Sequence, residues 1–346
     1  MKRTPKLSRL GEFGLIDRLQ TLLEKPGPRV RQGIGDDGAV VEVSRNRHLA
    51  VSTDALVENI HFRLDTHPPE VLGRKAMAVN LSDLAAMGAT PIWCMVALGL
   101  PTETPVALVD GIYRGLNYQS RKFGVSIIGG DTVASPESLW INVSIGGEVR
   151  KNRWFSRCGA QPGDALWVTG TLGDSHLGLQ LLQGNPGKWK TSARQTRFLT
   201  QRHLDPSPRV DVGIRLAEYR GRVSSMIDIS DGLVQDLNHL CRAAGVGADL
   251  YAEQIPRSQH LDKVSVNNNL DPLRFCLQGG EDYELLFTTP IEDVKKIERL
   301  LSTAAAPVTV IGSITGRSGR IRLLKEEQTP QLLNPSQGFD HFSGAG

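Results

Sequence analysis

Short loops that combine carboxylates with glycine, serine or threonine recur along this chain. They include the stretches 33–37 (GIGDD), 52–54 (STD), 129–132 (GGDT), 228–232 (DISDG) and 279–282 (GGED). Glycine lets a backbone approach a ligand closely, and carboxylate and hydroxyl oxygens are the ligands that hard cations such as Mg²⁺ prefer. The pattern indicates several bound cations and, with them, a ligand that carries phosphate groups.

The first of these loops also has the G-x-G-x-x-G spacing of dinucleotide-binding loops, with Gly33, Gly35 and Gly38. That motif needs a strand before the glycines and a helix after them. Here a strand-like run, AVVEV, follows, and Asp36 and Asp37 would repel a phosphate. A divalent cation between carboxylate and phosphate removes this conflict. Walker A and protein-kinase motifs are missing from the sequence, so any ATP chemistry needs another scaffold.

Each acidic loop also has a purely structural interpretation, because turns and helix caps favour Asp, Ser and Gly. Capping alone could explain Asp231, and Arg157 could form an ordinary salt bridge. Asp83 is harder to explain in this way. A helix predicted over 70–87 places Asp83 on the apolar stripe, where a carboxylate must be paired or bind a ligand.

The elements that must position these loops alternate along the chain, which predicts an α/β or α+β fold. Strands are predicted at 39–43, 48–54, 125–132, 139–149, 165–174 and 224–232. Further helices are predicted at 207–219, at 291–303, and from Ser230 to Gly245. A turn-rich segment at 157–164 follows the strand that ends near Val149. We therefore expect two domains, 1–152 and 153–346.

Composition excludes several classes of function. The 346 residues are 40% hydrophobic, and 40 basic against 37 acidic residues give a net charge of +3, which favours neither nucleic acid nor a membrane surface. The four cysteines lie far apart, which favours reduced thiols in the cytoplasm, and the N-terminus has no apolar segment typical of a signal peptide. The longest uncharged stretch, 84–101, contains prolines and predicts a buried turn and strand.

Several long motifs together resemble one family. They are G-I-G-D-D (33–37), S-T-D-x-L-V-x-x-x-H-F (52–62), K-A-x-A-V-N-L-S-D-L-A-A-M-G-A (75–89), I-G-G-D-T (128–132), S-R-x-G-A-x-P-G-D (156–164), D-I-S-D-G-L (228–233) and G-G-E-D-Y-E-L-x-F (279–287). In this order they resemble the thiamine-monophosphate kinases, which belong to the superfamily of aminoimidazole ribonucleotide synthetase. The resemblance runs from 11–13 to 338–342.

This resemblance implies ATP-dependent phosphorylation of thiamine monophosphate to thiamine diphosphate, the last step of thiamine diphosphate biosynthesis. Because the acceptor is a phosphate monoester that is already ionised near neutral pH, we expect direct in-line transfer assisted by several Mg²⁺ ions, without a general base from the protein. The resemblance also implies a homodimer of two-domain α/β subunits. The N-terminal domain would bind ATP and Mg²⁺ and form the dimer interface.

The same resemblance assigns residues. Metal-ligand positions are matched by Asp37, Ser52, Thr53, Asp54, Asp83, Asp131, Asp228 and Asp231. ATP contacts are matched by Gly130, Asp131, Arg157 and Ser230, and substrate contacts by His61, Glu281 and Phe339. Asp36 matches the acid beside the first ligand position. The adenine contact falls among Ile112, Tyr113 and Arg114, without a choice between them.

Other interpretations remain open at this point. A sister enzyme of the superfamily could use the same fold on another acceptor. Selenophosphate synthetases have a reactive cysteine or selenocysteine in the N-terminal glycine-rich region, whereas this chain has no cysteine before Cys94. The hydrogenase-maturation relatives end in cysteine, and this chain does not. Aminoimidazole ribonucleotide synthetase is a formal alternative that the 52–62 and 279–287 motifs disfavour. A catalytically silent nucleotide or Mg²⁺ sensor is a different class of hypothesis.

Overall fold

The computed structural model describes residues 14, 16, 17, 28–184, 189–219 and 221–335. A first sheet is built from β1 (Val30–Gln32), β2 (Ala39–Glu42), β3 (Arg47–Val57), β4 (Thr90–Leu100), β5 (Ser126–Ala134) and β6 (Trp140–Arg150). Its strand order is β1-β2-β3-β6-β4-β5. All neighbours pair antiparallel except β4 and β5, which are parallel.

The second sheet has seven strands in the order β13-β12-β9-β11-β7-β10-β8. They are β7 (Ala165–Thr169), β8 (Ser225–Asp228), β9 (Gly247–Tyr251), β10 (Leu285–Thr289), β11 (Val308–Thr315), β12 (Ile321–Leu324) and β13 (Gln331–Leu332). Only β9 and β12 pair parallel. Both sheets thus draw on strands that are distant in sequence.

Nine α-helices lie within residues 28–184, 189–219 and 221–335. They are α1 (Pro69–Ala86), α2 (Val106–Phe123), α3 (Asp174–Gln183), α4 (Ala193–Leu204), α5 (Val210–Glu218), α6 (Leu233–Ala244), α7 (Gln259–Asn267), α8 (Pro272–Gln278) and α9 (Val294–Leu301). No helix in this part of the chain is long and apolar enough to cross a membrane.

Helix α1 is the central element of the molecule. Most of its residues are buried, because α2 covers one side and α5 another. At Gly73 a Cβ atom would lie 2.0 Å from the backbone oxygen of Ile112, so the close approach of α2 requires glycine there. At Gly213 on α5 a Cβ would lie 2.3 Å from the oxygen of Ala85. Side chains on α1 are therefore held tightly in place.

One apolar core joins the two sheets. Leu81 and Leu84 of α1 belong to the same cluster of buried side chains as Trp167 of β7 and Phe287 of β10, whose rings stack at 5.8 Å. A second core fills the space under α6, α7 and α8. The predicted domain boundary at 152/153 falls in the connection between β6 and β7, and it remains a prediction.

Most predicted elements have counterparts in the structure. The helix predicted over 70–87 is α1, and the uncharged stretch 84–101 is the end of α1, a turn and β4, as predicted. The helix predicted from Ser230 begins only at Leu233. The carboxylate of Asp236, inside the first turn, accepts hydrogen bonds from the amides of residues 230, 231 and 232, each at 3.1 Å. These three residues therefore form a loop and not a helical turn.

Candidate active site

A cavity of about 1300 Å³ lies between the two sheets, and α1 forms part of its wall. Residues from the loop before β2, from β3, α1, α3 and α6, and from the loops after β8 and α8 line it. Pockets for one small ligand usually measure up to about 1000 Å³. This cavity is large enough to hold two substrates together.

Three carboxylates from distant segments meet in this cavity. Asp37 lies before β2, Asp83 in the last turn of α1, and Asp228 at the end of β8. One oxygen of each lies within 4.8 Å of the other two. We refer to these three residues as the carboxylate cluster. No such convergence is visible in the sequence, because the three residues are separated by up to 191 positions.

Two serines hold the carboxylate cluster in place. Ser52 on β3 donates a hydrogen bond to Asp83, and its hydroxyl lies 3.1 Å from the backbone oxygen of Asp37. Ser82, which is fully buried, donates to Asp228 at 2.6 Å. The amide of Asp54 donates to Asn80 at 3.0 Å, which fixes β3 against α1. The cluster is thus positioned by contacts from three sides.

The cluster carries more negative charge than its surroundings compensate. Burial raises the pKa of Asp228 to about 8, and the neighbouring Asp37 adds to the effect. Burial likewise raises the pKa of Asp83 well above its usual value, with Asp54 and Asp228 contributing. The Oδ2 atom of Asp37 is buried and has no hydrogen-bond partner among the residues that the structure describes. Three converging carboxylates with one unpaired oxygen have the donor set that a hard divalent cation requires.

Arg157 and Asp36 sit at the edge of the cluster. The guanidinium of Arg157 forms an ion pair with Asp37, and its side chain is 20% exposed. Asp36 accepts hydrogen bonds from the backbone amides of Arg157 and Asp37, both at 3.1 Å. Asp36 therefore braces the loop against the turn that carries Arg157.

A second charged group occupies another part of the cavity. Glu281 accepts from the ammonium of Lys75 at 3.0 Å, and its carboxylate lies 2.9 Å from Nδ1 of His203. Burial alone would raise the pKa of Glu281, but Lys75 and His203 outweigh it and hold that pKa well below its usual range. We call these three residues the Glu281 cluster. In contrast to the carboxylate cluster, it contains its own counter-charge.

The loop that carries Glu281 has a strained backbone. Glu281 and Tyr283 adopt left-handed conformations, with φ of 62° and 50°. Asp282 between them points inward and accepts from the amide of Gly173 at 2.8 Å. Glu284, the next acid, is fully buried and pairs with Arg202 and Arg209. Alternate residues thus face the cavity and the interior, and the interior contacts hold the strained loop.

Most predicted site residues line the one cavity. These are Asp37, Ser52, Thr53, Asp54, Asp83, Asp228, Asp231, Arg157, Ser230, His61 and Glu281, together with Asp36. Gly130 and Asp131 are different: they lie on β5, an exposed edge strand, and do not line this cavity. Phe339 lies outside the described residues.

The adenine candidates fall on α2. Ile112 is fully buried and has no free face on which a base could stack, whereas Tyr113 is 36% exposed. Arg114 forms an ion pair with Glu70. The structure therefore disfavours Ile112, and the choice between Tyr113 and Arg114 stays open.

Sequence reasoning missed the partners of Glu281. Lys75 is fully buried on α1, and it lies one helical turn before Val79 and two before Asp83. A lysine on the same apolar stripe as Asp83 was the available signal, because a buried ammonium needs a partner as much as a buried carboxylate does. No local pattern indicates His203, which reaches Glu281 from the end of α4.

Comparisons with known proteins give a consistent result. Residues 35–149 match the family model described as AIR synthase related protein, N-terminal domain, and residues 161–324 match the corresponding C-terminal domain. The chain is 39% identical over 339 residues to the thiamine-monophosphate kinase of Escherichia coli (strain K12), covering 96% of this chain and 98% of that protein. It is 34% identical over 312 residues to that of Bacillus subtilis (strain 168), covering 90% and 93%.

A solved structure is similar over the same length. The structure described as AaThiL complexed with AMPPCP and TMP superposes with a TM-score of 0.83 and 34% sequence identity. The match covers 98% of this chain and 99% of that one. The similarity thus includes both sheets.

Proposed function

The chain belongs to the thiamine-monophosphate kinases of the AIR synthase-related family, and we propose that its cavity transfers the γ-phosphoryl group of ATP to thiamine monophosphate, giving thiamine diphosphate and ADP. The observation that carries this proposal is the carboxylate cluster in the wall of a cavity large enough for two substrates. A charge-compensated group, the Glu281 cluster, occupies another part of the same cavity.

The carboxylate cluster fits Mg²⁺. Asp37, Asp83 and Asp228 would hold it, and the unpaired buried oxygen of Asp37 supports this assignment. Ser52, Thr53, Asp54 and Asp231 line the same cavity and extend the set of oxygen ligands for further ions. When bound, Mg²⁺ offsets the repulsion between two anionic substrates and stabilises charge on the group in transfer.

The chemistry needs no general base from the protein. The acceptor is a phosphate monoester whose second pKa is about 6, so its attacking oxygen is already ionised near neutral pH. The obstacle is electrostatic, because two unit charges about 4 Å apart repel by roughly 4 kcal/mol at an effective dielectric constant of 20. The work of the chain is therefore to hold the two substrates in line, to balance their charge and to exclude water.

We assign nucleotide contacts to Arg157 and Ser230 and contacts with thiamine monophosphate to His61, Glu281 and Phe339. Arg157 supports this assignment because its guanidinium already lies at the carboxylate cluster, where a planar donor can bind phosphate oxygens. His61 accepts from the amide of Val57 at 3.0 Å, so its ring has a fixed orientation at the cavity wall.

We also propose a homodimer formed through the edge of the first sheet. Strand β5 is almost entirely exposed, and Ile128 and Val133 on it and Met95 on β4 are exposed apolar residues. An uncovered edge with apolar side chains is a strong template for association. In such a dimer Gly130 and Asp131 lie at the interface, and we place their ATP and metal contacts there. On this division residues 1–152 supply the dimer interface and part of the ATP and Mg²⁺ contacts, and residues 153–346 complete these contacts with Arg157, Asp228, Ser230 and Asp231.

We place the reaction in the cytoplasm. All four cysteines, Cys94, Cys158, Cys241 and Cys276, are free thiols, and three of them are buried. Free thiols persist where the environment is reducing.

The deciding experiment is an assay of ADP release with purified protein, ATP and Mg²⁺. We expect ADP release with thiamine monophosphate, formation of thiamine diphosphate in equal amount, and neither with thiamine. Release with an aminoimidazole precursor, or nucleotide binding without turnover, would replace this proposal by a sister enzyme or a sensor.

A further inference from the structure

Lys75 is a fully buried charged residue beside the cavity. It lies on α1, its ammonium contacts Glu281 at 3.0 Å and the backbone oxygen of His61 at 3.4 Å, and it does not line the cavity. Both contacts are residues to which we assign substrate binding. A buried ammonium carries a large desolvation cost, so its placement here needs a reason beyond stability.

We propose that Lys75 is a positioning residue for thiamine monophosphate, acting through Glu281, and this inference rests on the proposed function. Lys75 touches no substrate itself. Its ammonium binds one carboxylate oxygen of Glu281 from the side away from the cavity, while the Glu281 side chain is 23% exposed and lines the cavity. Because the loop at Glu281 has a strained backbone, with φ of 62°, the carboxylate needs such a contact to keep one orientation.

The position of Lys75 on α1 gives this contact a second consequence. Lys75 and Asp83 are eight residues apart on one helix, which corresponds to about 12 Å along the axis. Val79 lines the cavity between them. The same rigid helix thus anchors Glu281 at one end and carries a member of the carboxylate cluster at the other.

This arrangement matches the chemistry of the acceptor. Thiamine monophosphate has an amino-substituted aromatic ring and a cationic ring at one end and a phosphate at the other. A carboxylate suits the ring end, and the carboxylate cluster with its cations suits the phosphate. Lys75 therefore sets the distance between the ring contact and the site of transfer, and half an ångström matters for reaction geometry.

The inference is tested by replacing Lys75 with methionine, which keeps a long unbranched chain without the charge. We expect the dissociation constant of thiamine monophosphate, measured by titration calorimetry without nucleotide, to rise at least tenfold. In steady-state assays we expect the KM for this substrate to rise by a similar factor and the KM for ATP to stay within twofold.

The matched control is Arg74→Met. Arg74 is the neighbour of Lys75 on α1 and pairs with Asp205, which follows α4, but neither residue lines the cavity. We expect this variant to lower the melting temperature without changing the affinity for thiamine monophosphate.

A double-mutant cycle shows whether Lys75 acts through Glu281. The variant Lys75→Met/Glu281→Gln leaves no isolated buried charge, so it should fold even if Lys75→Met alone does not. We expect it to bind thiamine monophosphate as weakly as Glu281→Gln alone, and not more weakly.

Three results would overturn this inference: unchanged binding in Lys75→Met, equal increases of both KM values, or a further tenfold loss in the double variant. Absence of substrate-dependent ADP release from the wild-type protein is a different outcome. It would overturn the proposed function itself, and this inference with it.

Discussion

The two charged clusters of the cavity differ in how their negative charge is balanced. Among the residues that the structure describes, the carboxylate cluster of Asp37, Asp83 and Asp228 has one ion pair, with Arg157, and one of its buried oxygens has no hydrogen-bond partner. In the Glu281 cluster the single carboxylate has both Lys75 and His203. On the function proposed above, the carboxylate cluster must therefore take its balancing cations from solution. The Glu281 cluster already contains a balancing cation, Lys75, so its carboxylate can keep one orientation toward an organic ligand.

The largest effect should come from removing a member of the uncompensated cluster. We expect Asp83→Asn to reduce turnover at least a hundredfold, because electrostatic stabilisation of a transferring group is usually the dominant contribution. The melting temperature of the metal-free variant should be no lower than that of the wild type, since one of several repelling charges is gone. ADP release and thermal unfolding in EDTA measure the two quantities.

The control for Asp83→Asn is Asp249→Asn. Asp249 is a partly buried carboxylate on β9 that already has its own cation, Arg322, and lies outside the cavity. Its loss should lower stability and leave turnover unchanged. Near-normal turnover of Asp83→Asn at low Mg²⁺ would remove the carboxylate cluster from the mechanism.

An intermediate effect should follow from loosening the cluster without removing a carboxylate. Ser82→Ala deletes the buried donor to Asp228. Groups that orient metal ligands typically change metal affinity by about tenfold or more when removed. We therefore expect the Mg²⁺ concentration for half-maximal activity to rise about tenfold, with a smaller change of kcat at saturating Mg²⁺.

Ser265→Ala is the comparison variant for Ser82→Ala. Ser265 on α7 is also fully buried, but its hydroxyl has no hydrogen-bond partner in the structure. The Mg²⁺ dependence of this variant should equal that of the wild type. Equal Mg²⁺ dependence of Ser82→Ala and wild type would mean that Asp228 does not need its serine.

The smallest effect concerns His67, a histidine beside the Glu281 cluster that we expect to stay uncharged in the folded protein. His67 lies beside His203, with ring centroids 5.8 Å apart, and is 2% exposed. Burial lowers its pKa to about 3, and Lys75 adds to the effect. Between pH 6.5 and 3 the unfolded chain therefore binds a proton at this residue that the folded chain does not. The free energy of unfolding should fall with decreasing pH by up to about 1.4 kcal/mol per pH unit from this residue.

Denaturant unfolding of His67→Gln at several pH values between 6.5 and 4 measures this contribution. The decline of stability should be shallower in the variant than in the wild type. If stability declined equally with pH in the variant and the wild type, His67 would accept its proton in the folded protein, and the Glu281 cluster would have a further positive charge beside it.

Local physical chemistry made much of the fold predictable. Strand-forming runs such as 39–43 and the apolar stripe of 70–87 gave β2 and α1, because alternation and helical spacing act over a few residues. Capping was less predictable: a serine and an aspartate before 233 suggest an early helix start, but Asp236 caps the loop from inside the helix. Capping motifs are recognised from the residues that precede a helix, so they do not reveal a carboxylate inside the helix that accepts from the preceding amides.

By itself the sequence determined the types of group at the site, since acids among glycines and serines are a property of composition and spacing. Only the tertiary structure decided which of them meet. Asp37, Asp83 and Asp228 converge because β8 packs against α1 and because Ser52 on β3 contacts both Asp83 and the loop before β2. Asp131, in contrast, lies on strand β5 at an exposed edge of the first sheet. Lys75 and Glu281, which are 206 positions apart in the sequence, likewise come into contact only in the folded chain. Convergence of this kind depends on how sheets pack on a shared helix, and the spacing within any one segment carries no information about that packing.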